Sequence, residues 1–212
     1  MRLFFLAVLL FTYVAVLAQS TPIIFDHYGL ADGLTTKSTN GIAKTTDGMM
    51  WITSEEGLIR FDSKKFVYYT HSASDSNSLG NNRTYEIAVD NKNNIWVKTA
   101  NGLDKLNPET GKFTHCTIPV KGKLTSDFFA ETIFYDSRTN TVWLSVRNGV
   151  FINKNGSSNF EAVKKDEESK SIFNNSYFIC IAKDKQNKIW LGNTDGFYEY
   201  NQQTGKIAIV KY

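Results

Sequence analysis

Along most of the chain, apolar and polar residues alternate in short bursts, each closed by Gly, Asn or Asp. This is the pattern of half-buried strands joined by tight turns. The bursts recur with a period. The four Trp stand at 51, 96, 143 and 190, spaced by 45, 47 and 47 residues. Six residues after each Trp is a Gly (Gly57, Gly102, Gly149, Gly196), and directly after each is Ile52, Val97, Leu144 or Leu191. Nine or ten residues before each is an Ile: Ile42, Ile87, Ile133 and Ile181. Every unit reads as four strands. First strands run through Gly41-Ile42-Ala43-Lys44, Tyr85 to Val89, Thr132 to Tyr135 and Phe178 to Ala182, and second strands pass through the Trp. The turns Glu56-Gly57, Asn101-Gly102, Asn148-Gly149 and Asp195-Gly196 lead to third strands, because Asn-Gly and Asp-Gly tolerate positive φ. Fourth strands follow at Lys65 to Tyr69, Lys112 to Thr117, Phe160 to Lys164 and Ile207 to Tyr212.

A four-stranded antiparallel meander repeated at this period predicts an all-β protein, a β-propeller with four blades at about 38–70, 84–117, 130–165 and 177–212. A Leu or Ile lies 17 to 19 residues before each Trp, at Leu34, Leu79, Leu124 and Ile172, placed to anchor the link between blades. The links themselves are polar, and Ser72 to Asn82 and Val163 to Asn175 are the loosest stretches. Residues 22–28 read as an extra strand ahead of the first blade. Residues 1–18 read as a secretory signal peptide: Met1-Arg2, an apolar run from Leu3 to Leu17, and a cut between Ala18 and Gln19. The mature chain is therefore expected in the periplasm.

Composition narrows the function. Lys and Arg number 24 against 21 Asp and Glu, a net charge of +3 with no basic run, which argues against a nucleic-acid partner or a polybasic membrane surface. Cys116 and Cys180 fall in different repeats and are expected to be free thiols. Neither a Gly-rich phosphate loop, a metal cluster nor a nucleophile elbow is visible, so no cofactor, no metal site and no catalytic residue is expected. His71 and His115 fall near equivalent fourth-strand positions on the outer rim, with bland surface roles. Asp47, Asp90, Asp136 and Asp184 sit at repeat-equivalent turns, where Asp suits the backbone. The identical placement of the Trp makes them packing residues between blades. Positions that vary between repeats, where inner strands begin at the channel mouth, are the candidate ligand-binding residues: Lys37, Arg83, Tyr85, Phe128, Phe129 and Tyr177. They mix flat apolar faces with donors, as a glycan site requires.

The stretch Tyr28-Gly29-Leu30-Ala31-Asp32-Gly33-Leu34, with Asp47-Gly48-Met49-Met50-Trp51-Ile52 and Glu56-Gly57-Leu58-Ile59-Arg60-Phe61-Asp62, resembles the opening of the periplasmic propeller of hybrid two-component sensor histidine kinases. Asn94-Ile95-Trp96-Val97, Thr141-Val142-Trp143-Leu144 and Lys188-Ile189-Trp190-Leu191-Gly192 resemble further two-component regulator propeller repeats. The resemblance implies a sensor for oligosaccharides, with seven-bladed propellers, a membrane span and a kinase, acting as a homodimer and reaching the membrane through downstream segments. Against that pattern, four repeats read as an incomplete arc of a seven-bladed ring, an N-terminal fragment without the kinase. A strand at 22–28 would find no vacancy in a fourth blade that already has its own fourth strand. The alternatives are a stand-alone secreted propeller that binds carbohydrate or protein, or a propeller lyase or hydrolase, which would need a catalytic cluster.

Overall fold

The computed structural model describes residues 24–147, 149–154, 156–175 and 177–210. The signal peptide read at 1–18 lies outside them, as do Pro22 and Ile23 of the extra strand.

The chain is a β-propeller of four antiparallel sheets, each with its strands in sequence order. The first blade holds β1 (Thr39–Lys44), β2 (Met50–Ser54), β3 (Gly57–Phe61) and β4 (Phe66–Tyr69). In the second are β5 (Thr84–Val89), β6 (Ile95–Thr99), β7 (Gly102–Asn107) and β8 (Lys112–His115). A two-stranded hairpin follows, β9 (Ile118–Val120) and β10 (Lys123–Thr125). The third blade holds β11 (Ala130–Asp136), β12 (Thr141–Val146), β13 (Gly149–Asn153) and β14 (Glu161–Ala162). Helix α1 (Ser169–Asn175) leads to the fourth, with β15 (Cys180–Lys183), β16 (Ile189–Asn193), β17 (Gly196–Tyr200) and β18 (Ile207–Ile209). The first strands of successive blades, β1, β5, β11 and β15, neighbour one another in that order and form the inner wall.

The Trp of one blade faces forward and the Ile of the next faces back. Trp51 packs with Ile95, Val97 and Phe113 of the second blade, and Ile87 lies against the same cluster. Trp96 packs with Ala130, Val142 and Phe160 of the third, and Trp143 with Phe178, Ile181 and Leu191 of the fourth. Burying such a ring at a joint is worth several kcal/mol, on the order of 3–5 by truncation. The end faces show the converse. Ile42, with no blade before it among the described residues, is 62% exposed, and on the half-buried Trp190's face of the fourth blade Phe197, in register with Gly192, is exposed.

In the first, second and fourth blades the turns between first and second strands repeat to the hydrogen bond. The amides of Thr45, Asp90 and Asp184 donate to the carbonyls four residues on, Met49, Asn94 and Lys188, at 3.0–3.1 Å. Gly48, Asn93 and Asn187 take the left-handed position (φ 93°, 61° and 69°), the residue types that tolerate it. At the opposite end, Gly102 (φ 156°) is held where a Cβ would lie 2.5 Å from the Ser126 carbonyl oxygen.

Three expectations about the links need correction. Residues 24–28 form no strand; Ile24 and Phe25 stay exposed, and Tyr28 instead sets its ring edge on Phe61 at 4.8 Å. Leu124 is no anchor: it lies exposed on β10, because Lys121 and Gly122 (φ 49° and 78°) make a two-residue turn that folds the link into a hairpin. Phe128 packs on the second joint in its place. The loose stretch before the fourth blade is partly helical, the Asp166 carboxylate accepting the Ser169 amide at 2.8 Å and Phe173 being fully buried. Leu79, in contrast, is fully buried and anchors its link as its spacing predicts.

Candidate functional site

The inner strands begin at the end of the blades that carries the links, and there Tyr85 on β5 and Phe129, just ahead of β11, come together. What joins them is Lys98 on β6, two residues after Trp96. Its ammonium stands 5.7 Å from the Tyr85 ring centroid and 5.9 Å from that of Phe129. The same group donates to the Glu131 carbonyl at 2.5 Å and to Glu86 Oε1 at 3.3 Å. Glu86 Oε2 in turn accepts from Thr132 Oγ1 (2.9 Å) and the Ile133 amide (2.8 Å). Lys98 is nearly buried, so its charge is neutralised in place by Glu86 and by two aromatic faces. The exposed Phe129 ring and the half-buried Tyr85 ring, 5.9 and 5.7 Å from the same ammonium, form an aromatic platform at the mouth.

Lys98 belongs to a repeated device. The equivalent Thr53 donates to the Tyr85 carbonyl, crossing from the first blade to the inner strand of the second as Lys98 crosses from second to third. Ser145, next in the series, makes no such crossing: its buried hydroxyl has no partner among the described residues. Composition hides Lys98 among 24 basic residues; its place two residues after a Trp is the signal that could have singled it out.

The other predicted mouth residues do not join this platform. Lys37 is exposed on the link before β1. Arg83 is exposed and paired with Glu55 at 3.4 Å, a surface contact of small worth. The Phe128 ring lies against Gly102 and the second joint, which makes it core rather than surface. Tyr177 is exposed at the entry to the fourth blade.

The fourth-strand histidines are less bland than their spacing suggests. His71 and His115 line one small cleft of about 180 Å³ with Gly80 and Asp104. His115 Nδ1 lies 2.7 Å from Asp104 Oδ1, and the Gly80 amide donates to Asp104 Oδ2 at 2.6 Å. The bond to the nearly buried Asp104 holds the His115 imidazole above its ordinary pKa. His71 Nδ1 lies 2.8 Å from the Leu79 carbonyl oxygen, fastening the link. Among the described residues no group of three or more His, Cys, Asp or Glu could hold a metal ion. Cys116 is buried and Cys180 exposed, and both are free thiols; burial drives the Cys116 pKa far up.

With this geometry in hand the chain can be set beside known proteins. The two component regulator propeller family matches at residues 171–195, from α1 through the turn after Trp190. A histidine kinase of Formosa agariphila, P4, is 30% identical over 174 residues, covering 78% of this chain. The family match falls on the repeat that carries Trp190, one of the four units of the propeller. Among solved structures, the extracellular domain assigned to a hybrid two-component system of B. thetaiotaomicron superposes with a TM-score of 0.73 at 19% identity, over 88% of this chain and 26% of that one. Virginiamycin B lyase of Staphylococcus aureus superposes with a TM-score of 0.58 at 19% identity, over 80% of this chain and 54% of that one. At such identity these likenesses speak for the propeller fold alone. The chain spans 12% of the length of the Formosa kinase. Among the described residues no helix is long and apolar enough to cross a membrane.

Proposed function

We propose that this propeller is an extracytoplasmic ligand-sensing domain of a hybrid two-component sensor, residing in the periplasm and reading glycan fragments. The observation that carries the reading is the 30% identity to a histidine kinase along 174 residues, which runs through most of the repeats rather than one motif. The mouth supports the ligand class: Phe129 and Tyr85 offer stacking faces, and the neutralised Lys98 and Glu86 leave the platform without net charge. A platform of this kind suits an oligosaccharide shared between this arc and further surface, with this chain an N-terminal portion of the receptor. In this reading the propeller itself performs no chemistry, and phosphotransfer belongs to a kinase beyond the region.

The test is genetic and biochemical together. In the native host, transcripts induced by a panel of oligosaccharides are compared with and without the reading frame, and again with Phe129→Ala. The proposal expects one glycan-induced set to lose its response in both strains. Unchanged induction across the panel would overturn it.

A further inference from the structure

At the end of the blades away from the mouth, the first joint is open. A cleft of about 510 Å³ lies there between the turn that ends at Met49 and the second blade's turns at Lys92 to Asn94 and Asn107 to Glu109. Its inner wall is the pair Trp51 and Arg60, which stand directly opposite one another on β2 and β3 and so present their side chains on one face. Trp51 is 1% exposed, yet its indole N–H finds no acceptor, and neither does the buried Nε–H of Arg60, among the described residues. Two adjacent buried donors without partners are costly, and each asks for an acceptor.

The chain itself shows which acceptor belongs there. At the second joint the same positions are occupied by Trp96 and Lys105, also cross-strand partners. There the indole N–H donates to the Asp90 carboxylate at 3.1 Å, and Lys105 Nζ reaches over the Trp96 ring to the Gly156 carbonyl of the third blade. The fourth blade repeats the cap, Trp190 donating to Asp184 at 2.9 Å. In the first blade the capping position holds Thr45, in a turn with the same backbone hydrogen bonds. Its hydroxyl donates to Asp47 and lies 3.1 Å from the Met49 carbonyl oxygen, and so leaves the indole alone. Among the described residues no carboxylate takes the place of Asp90. Trp143 also lacks an acceptor, but the third blade's turn is one residue longer and its Asp136 is taken by Thr139 and Lys183; Trp143 lines none of the clefts described.

We propose that this cleft binds a small hydroxylated carboxylate, of the size of a sugar acid, whose carboxylate takes from Trp51 and Arg60 the bonds that Asp90 and Gly156 take at the second joint. Lys92 adds positive charge at the rim, while Asp47 and Glu109 are placed to accept from ligand hydroxyls. This excludes a bare polyanion and favours one carboxylate flanked by hydroxyls. The site lies at the opposite end of the blades from the platform of Tyr85 and Phe129, and stands whether or not that platform reads glycans.

The probe is sodium D-glucuronate, with methyl glucoside as its neutral counterpart, titrated into the full chain while the four indole N–H signals are followed by NMR. The expected result is a saturable shift of the Trp51 signal with glucuronate and none with methyl glucoside. Arg60→Gln should weaken binding about tenfold, the loss of one charge-assisted bond. Thr45→Asp rebuilds the internal cap, so it should abolish binding while the protein stays folded, with its melting temperature unchanged or higher. No Trp51 shift up to tens of millimolar, an equal shift with methyl glucoside, or undiminished binding by folded Thr45→Asp would each overturn the proposal.

Discussion

The first and second joints of the propeller are cut from one repeat, with a Trp and a long basic residue opposite each other on the second and third strands. At the second joint both find protein acceptors, Asp90 and the Gly156 carbonyl, and the blades close. At the first, Thr45 stands where Asp90 would, and Trp51 and Arg60 face a cleft. The apolar half of the two joints is alike, a fully buried indole against the strands of the next blade. The difference is therefore polar. Hydrophobic burial, which is not directional, sets how blades stack, whereas these two joints differ in whether the indole N–H and the basic side chain beside it find acceptors.

The largest effect expected from breaking this comparison is at the sealed joint. Trp96→Ala removes the buried ring and one of the donors to the Asp90 carboxylate, costing about 3–5 kcal/mol in urea denaturation. Trp190→Ala, on a half-exposed end face, should cost clearly less, although it too loses an Asp cap. Equal losses would mean that the rings do not act as joint fillers. Next in size is Gly102→Ala, which places a Cβ against the Ser126 carbonyl at a φ only Gly adopts readily. It should cost about 1–3 kcal/mol, seen as a lowered unfolding midpoint. The smallest is a pH effect at the mouth end. His115 has a raised pKa because of its bond to Asp104, so its contribution is fully present below the ordinary imidazole value of 6.5 and is lost as pH rises through the folded value. Stability should thus fall slightly on going from acid to mildly alkaline pH, and His115→Gln should flatten that slope.

The architecture was legible because its signal is repeated: a Trp, the aliphatic residue after it, a Gly six on and an Ile before it are enforced at each joint by the same packing. The links were less legible because each occurs once. Lys121-Gly122 carries a hairpin turn that no period announces, and α1 rests on Asp166 and Phe173, ordinary residues in a polar stretch. The candidate site was half legible. Tyr85 and Phe129 could be named as aromatics at the heads of inner strands, but Lys98 lies on the neighbouring strand and reaches them only through the fold. Phe128 looked like its neighbour Phe129, yet in the link ahead of β11 Phe128 packs against Gly102 and the second joint while Phe129 stays exposed. The open joint was written in the sequence as Thr45 in place of Asp, six residues before a Trp. That becomes readable only once the role of Asp90 and Asp184 is seen.

The account stands on the claim that these carboxylates cap two of the four indoles and that the other two go uncapped. Proton–nitrogen NMR of the indole N–H groups in the ligand-free chain tests it most directly. The prediction is that Trp96 and Trp190 resonate downfield, and that Asp90→Asn moves the first and Asp184→Asn the second, with Trp51 and Trp143 unaffected by either. Lowering the pH should also release Trp190, but only below the usual carboxylate range, because the indole bond holds the Asp184 carboxyl below it. Four indole signals that respond alike to acid and to both substitutions would contradict the account.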